Sequence, residues 1–145
     1  MRFDLLLQLH LFAVAFWFGV VAVEYLIEQG RAQSRNQGYT VARLHRKIDL
    51  FFEMPAFSLV LVSGLLLIEP ARVDGIYALK VVAGGAAVLG NVLCLIPVLK
   101  RRVSAEMDDL SEVIQQSALI DRISLLAIPA GFVALACGLY LMVIR

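Results

Sequence analysis

Histidine and acidic side chains recur at helical spacing in the second apolar stretch of the chain. His45, Asp49 and Glu53 are four residues apart, so on a helix they share one face. Glu24 stands near the end of the first apolar stretch, and Asp121 near the start of the last. Imidazole and carboxylate ligands suit Fe, Mn or Zn, whereas Cu(I) prefers thiolate and thioether ligands. These five residues are therefore a candidate metal site.

A second interpretation of the same acids is an ion-pair network at a membrane surface. Basic side chains stand next to them in the sequence, namely Arg43, Arg46, Lys47 and Arg122. Carboxylates that project inward from several helices, together with a histidine, are also how bundle proteins build two-metal sites. The spacing alone leaves both interpretations open.

A smaller polar group lies towards the other end of the helices. Trp17 follows His10 by seven residues and shares its helix face, and Asn91 follows Lys80 by eleven, about three turns. These four residues are candidate cofactor-binding residues. The alternative is that His10 is a neutral imidazole bonded to a neighbouring helix, and that Lys80 extends its ammonium group to the membrane interface.

The composition indicates what surrounds these residues. The chain has 145 residues, of which 61% are hydrophobic and 17% charged, against roughly 45–50% and roughly 25% in ordinary globular chains. So little polar surface predicts a lipid bilayer as the outer solvent. The formal net charge of +1 gives no broad basic surface for nucleic acid.

Four segments are long and apolar enough to span a bilayer, at about 3–27, 41–68, 76–99 and 106–144. Backbone groups in lipid must be satisfied within the segment, which favours helices over strands. Glu69-Pro70 ends the second segment, and the short connection to Gly75 predicts a hairpin. We expect an all-α integral membrane protein, a single transmembrane domain over 1–145 that folds as an antiparallel four-helix bundle.

The helical rise places the polar groups at different depths. Glu24, Asp49 and Asp121 are expected about 12–15 Å from the midplane, on one side. His10 and His45 are expected on the order of 25 Å apart along the membrane normal, too far to ligate one haem within one chain. A haem at His10 would need another axial ligand, such as Met142, or five-coordinate iron.

Basic residues predict the orientation. One side carries Arg2, Arg72, Lys80 and Arg145. The other side carries Arg31, Arg35, Arg43, Arg46, Lys47, Lys100, Arg101, Arg102 and Arg122. The positive-inside rule then makes loops 28–47 and 100–117 cytoplasmic and turns both termini outward, in a membrane that we expect to be the bacterial inner membrane.

Small residues at four-residue spacing occur in the third and fourth segments, where they let helices approach closely. They are Ala83 with Ala87, Ala86 with Gly90, and Ala130 with Ala134 and Gly138. We expect these faces to be available for self-association, and therefore a homo-oligomer.

Several short motifs resemble a known membrane superfamily. The run LHLFAVAFWFG at 9–19 resembles the first helix of CopD-type copper resistance proteins and HemJ-type protoporphyrinogen oxidases. Pro55-Ala56 with SGLLL at 63–67 resembles their second helix, and YALK at 77–80 followed by Asn91 is similar to the third. The resemblance implies that His10 and Lys80 are functional and that they serve haem b or porphyrin chemistry.

Three functions follow as hypotheses. The first is a metal-binding membrane protein with a His/carboxylate site near the cytoplasmic face, in metal handling or metal-dependent redox chemistry. The second is a haem- or porphyrin-binding redox protein that uses His10 and Lys80. The third is an accessory subunit without a site, in which the charges only pair.

Overall fold

The computed structural model of the protein describes residues 2–71 and 74–144, with only the backbone described for Arg2 and Phe3. Within these residues every regular element is a helix. Arg72 and Arg145, two of the basic residues on which the predicted orientation rests, lie outside the described residues. The prediction of an all-helical chain with four long apolar helices is confirmed.

The four helices are α1 (Arg2–Glu28), α2 (Arg35–Leu66), α3 (Gly75–Glu106) and α4 (Leu110–Val143). All four have the length and mean hydropathy that a bilayer crossing requires. The interface between α3 and α4 is the most extensive contact between helices.

Side-chain caps explain where three helices begin. The Ser34 hydroxyl accepts a hydrogen bond from the Gln37 backbone N–H at 3.1 Å, so α2 starts well before the expected residue 41. Asp74 caps α3 through the Tyr77 N–H at 2.7 Å, and Asp109 caps α4 through the Glu112 N–H at 3.0 Å.

The connection between α3 and α4 is a three-residue turn. Asp108 takes the left-handed conformation there, with a φ of 61°, and the Asp109 N–H bonds back to the Ser104 carbonyl at 3.0 Å. This pairing terminates a helix in the Schellman manner. Arg35 bonds to the Asp108 carbonyl at 2.8 Å and to its carboxylate at 2.7 Å, which ties the turn to the start of α2.

The distribution of side chains is the reverse of that in a soluble bundle. Large apolar residues point outward, among them Phe51 (72% exposed), Leu126 (78% exposed) and Val143. Charged residues lie inside, including Arg101 at 1% exposure and Asp49 at 3%. An apolar core cluster of Trp17, Ala56, Phe57, Ala87 and Val88 packs α1, α2 and α3 together.

The small residues of α3 and α4 are occupied within the chain. A Cβ atom added at Gly90 would lie 2.6 Å from the Ala127 Cβ, and one added at Gly84 would lie 3.8 Å from the Ala134 Cβ. These faces were expected to be available to a second copy of the chain, but part of them forms the α3–α4 interface. Self-association therefore stays a prediction, and the small residues of α3 and α4 no longer support it.

Candidate metal centre

A π-helical turn in α2 sets the position of the acidic residues. From Asp49 to Glu53 the backbone leaves the α-helical pattern, and the Met54 N–H bonds to the Asp49 carbonyl, five residues back. Asp49 and Glu53 are both buried, whereas Phe51 and Phe52 point outward. Single π turns inside α-helices occur frequently at functional sites.

Three side chains from α1 and α2 meet beside this turn. Glu24, His45 and Asp49 each offer one ligand atom, and the three atoms lie within 4.8 Å of one another. The His45 Nε2 is 3.8 Å from the Glu24 Oε1 and 3.2 Å from the Asp49 Oδ1. Two ligands of one zinc ion can be at most about 4.3 Å apart, so both separations suit a shared ion. We refer to these three residues as the triad.

The triad oxygens are buried but unsatisfied. The Glu24 Oε1 and the Asp49 Oδ1 have no hydrogen-bond partner among the described residues. An unpaired carboxylate oxygen in a low-dielectric interior is costly, and a bound cation or proton relieves that cost. The two oxygens and the His45 Nε2 together form an oxygen- and nitrogen-donor set of the kind that binds divalent transition metals.

Glu28 fixes the ring of His45 from the opposite side. Its Oε1 contacts the His45 Nδ1, and because a carboxylate only accepts, we assign the imidazole proton to Nδ1. In the neutral ring with its proton on Nδ1, the Nε2 presents a lone pair towards Glu24 and Asp49. A carboxylate that orients a histidine in this way is the usual support of a metal-binding imidazole.

Arg101 in turn holds Glu28. Its Nη1 and Nη2 donate to the two oxygens of Glu28 at 3.0 and 2.6 Å, and Nη1 also donates to the Ser117 hydroxyl at 3.2 Å. The Nη2 also lies 2.8 Å from the His45 Nδ1, but this contact is not a hydrogen bond when Nδ1 carries the proton, because both groups then donate. The paired geometry gives Glu28 one defined orientation, because guanidinium and carboxylate groups match in two parallel bonds.

Asp121, one of the five candidate metal ligands in the sequence, lies outside the triad. Its carboxylate accepts two hydrogen bonds from Arg31, at 2.9 and 2.5 Å, and its side chain is 49% exposed. Arg31 also donates to Glu28 at 2.9 Å. The hydrogen bonds with Asp121 are the main cause that raises the pKa of Arg31 above its usual range. Asp121 is thus an ion-pair partner at the rim.

Glu53 lies beside the triad without joining it. Its Oε1 accepts a hydrogen bond from the Trp17 Nε1 at 3.2 Å. Glu53, Glu24, Glu28, His45 and Asp121 line one cavity of about 380 Å³, the acidic cavity. Asn91 also lines this cavity, together with Cys94.

His10 and Lys80 line a different space, which we call the His10 cavity, of about 260 Å³. Trp17 lines both cavities, as do Phe18 and Gly131. The structure therefore divides the four residues expected to bind a cofactor. His10, Lys80 and Trp17 share one cavity, whereas Asn91 belongs to the other.

The sequence interpretation overlooked Arg101 as a buried residue. It ended the third helix at residue 99 and treated Arg101 as part of a cytoplasmic loop, but α3 continues to Glu106. One signal in the sequence was the helical spacing of Val98, Arg101 and Ala105, which places them on one helix face. All three are buried in the structure.

The charges around the site do not balance within the described residues. The acidic side chains here are Glu24, Glu28, Asp49, Glu53 and Asp121, and the guanidinium groups in contact with them are Arg31 and Arg101. Both guanidinium groups bond to Glu28 or Asp121, so among residues 2–71 and 74–144 the only basic side chain that pairs with Glu24 or Asp49 is His45.

Comparisons of the chain with family models, with curated proteins and with solved structures find no match.

Proposed function

We propose that the chain is an integral membrane protein, an antiparallel four-helix bundle that binds one divalent transition metal ion. Its ligands are the Glu24 and Asp49 carboxylates and the His45 Nε2. The observation that carries the proposal is the pair of buried, unpartnered oxygens on Glu24 and Asp49, which face the histidine nitrogen at 3.8 and 3.2 Å.

The donor set favours Fe, Mn or Zn. One imidazole and two carboxylates are borderline to hard ligands, and no thiolate belongs to the triad. Three protein ligands leave at least one coordination position for water or a substrate, which is the pattern of reactive metal sites rather than closed structural ones. We therefore place the protein in metal handling or metal-dependent redox chemistry, with the site near the cytoplasmic face.

The first experiment measures metal equivalents per chain by elemental analysis of protein purified in mild detergent and reloaded with Zn²⁺ or Mn²⁺. We expect about one equivalent in the wild-type protein and its loss in Asp49→Asn, because the amide keeps the shape of the side chain but carries no negative charge. Asp121→Asn is the matched control. It removes one carboxylate charge from the lining of the acidic cavity but leaves the triad intact, so its metal content is expected to match the wild type.

Three outcomes would oppose the proposal. Metal content unchanged in Asp49→Asn would rule out the triad, and no metal in the wild-type protein would favour protonated acids in an accessory subunit. If Asp121→Asn lost its metal as completely as Asp49→Asn, the site would instead include the wider set of five residues.

A further inference from the structure

The His10 cavity has a composition distinct from that of the acidic cavity. Its lining is mostly apolar, and the polar side chains on it include His10 from α1 and Lys80 from α3. Apolar residues at its margin are exposed on the outer surface of the helices, among them Leu61, Leu65 and Leu139. A ligand of this cavity therefore needs an apolar body and a small polar group.

Glycines keep the space open beside both polar side chains. A Cβ atom added at Gly64 would lie 3.3 Å from the His10 Cε1, and one added at Gly138 would lie 3.7 Å from the Lys80 Cε. A larger residue at either position would occupy the volume next to the imidazole or the ammonium group.

Ser63 determines the form of the His10 ring. Its hydroxyl donates to the Leu59 carbonyl at 2.5 Å, so its single hydrogen is used and the oxygen can only accept from His10. We therefore assign the proton of the neutral His10 ring to Nδ1, which lies 2.9 Å from the Ser63 hydroxyl. The Nε2 then carries a lone pair, and within residues 2–71 and 74–144 Ser63 is the only side chain that hydrogen-bonds to the ring, through Nδ1.

An unpaired acceptor and a cation in an apolar cavity select a particular ligand chemistry. A carboxylate could pair with Lys80 but has no proton for the His10 Nε2. A phenolic hydroxyl has both, a proton to donate and an oxygen that accepts. The volume of about 260 Å³ lies just below the roughly 300–1,000 Å³ of pockets for drug-sized ligands, and it suits a single ring.

We propose that the His10 cavity binds the head group of a lipid-soluble hydroquinone. One hydroxyl donates to the His10 Nε2, Lys80 donates to a hydroxyl oxygen, and the tail leaves between the exposed leucines into lipid. The proposal is independent of the metal site, because it rests on a separate cavity and on other side chains.

A direct test uses the only tryptophan of the chain, Trp17, which lines this cavity. A decyl-substituted benzohydroquinone, titrated without oxygen into the detergent-purified protein, should change Trp17 fluorescence in a saturable way. His10→Phe should raise the Kd at least about tenfold, since the hydroxyl loses its acceptor. Gly64→Val should also abolish saturable binding, and the matched control Gly19→Val, with no atom within 4 Å, should leave the Kd unchanged.

Ser63→Ala provides a second test that leaves the cavity and His10 in place. Without Ser63 the imidazole proton can move to Nε2, which would donate to a quinone carbonyl instead. The preference for hydroquinone over quinone should therefore fall, even if the variant binds both.

Results of three kinds would overturn the proposal. These are a Kd within twofold of the wild type in both His10→Phe and Gly64→Val, an unchanged hydroquinone preference in Ser63→Ala, or a Soret band that disappears in His10→Phe. The last result would assign the cavity to a porphyrin.

Discussion

Glu28 and Arg101 are the residues that make the arrangement of His45 specific. The paired hydrogen bonds of Arg101 orient the Glu28 carboxylate, and Glu28 orients the imidazole. Arg101 is also 1% exposed, so its charge is compatible with the interior only while Glu28 accepts its hydrogen bonds. The two residues therefore support the triad without belonging to it.

This support can be measured with Glu28→Gln. The amide keeps the size of the side chain but no longer provides a charged acceptor for the His45 Nδ1–H. We expect a 10–100-fold weaker affinity for the metal, because the loss of such a supporting group typically has this effect. Competition with a coloured chelator would give the affinity.

Glu112→Gln is a suitable control for this experiment, since Glu112 lies in the first turn of α4, is partly exposed and accepts its side-chain hydrogen bond from Gln116, outside the triad. Equal affinities in Glu28→Gln and the wild type would show that the imidazole does not need its carboxylate.

The elements were predictable where they depend on local sequence and less so where they depend on packing. Long apolar runs identified four helices, because a bilayer span needs about 20 apolar residues. The expected end at 99 was wrong because Lys100 and Arg101 resemble a helix terminus, whereas the burial of Arg101 depends on Glu28 in another helix. The π turn at Asp49–Glu53 has no comparable local signal.

The same distinction applies to the candidate site. Residue type and spacing selected Glu24, His45 and Asp49 within a set of five, and the structure brings these three together. The predicted depth of Asp121 in the membrane could not show that it lies outside the triad. Asp121 pairs with Arg31 in the connection between α1 and α2, and the path of that connection depends on tertiary structure.

At the scale of helices, the close contact between Gly90 and Ala127 predicts a sensitive position. Gly90→Ala would place a methyl group 2.6 Å from the Ala127 Cβ and 3.3 Å from its Cα, so the backbones of α3 and α4 would have to separate. We expect a loss of about 1–3 kcal/mol in the free energy of unfolding, as for other overpacked interiors. Thermal unfolding in detergent would detect it as a lower Tm.

Gly85→Ala provides the comparison, because a Cβ there meets no atom within 4 Å. An unchanged Tm in Gly90→Ala would mean that the two helices can separate without loss of stability.

Considered as a whole, the molecule has a charged interior and an apolar exterior. Its basic residues are concentrated in the connection after α1, in the first half of α2 and at the end of α3. A charged side chain near the centre of a span costs at least about 2.5–3.5 kcal/mol, so the buried group near Glu24 is expected at the end of the bundle, close to water.

Orientation gives a prediction at this scale. A phosphatase that is active only outside the cytoplasm, fused after Arg145, should be active, and a fluorescent protein that folds only in the cytoplasm should be dark at the same position. The excess of basic residues on the opposite side is the reason for this expectation. The reverse pattern would place the triad at the outer face.

The position of Trp17 between the acidic cavity and the His10 cavity has a thermodynamic consequence. Trp17 lines both cavities, and its indole N–H donates to Glu53 beside the triad. A ligand in one cavity that displaces this indole changes the free energy of occupancy in the other. Linkage then requires reciprocity, so the factor by which a metal alters the affinity for the ring ligand equals the factor by which that ligand alters the affinity for the metal.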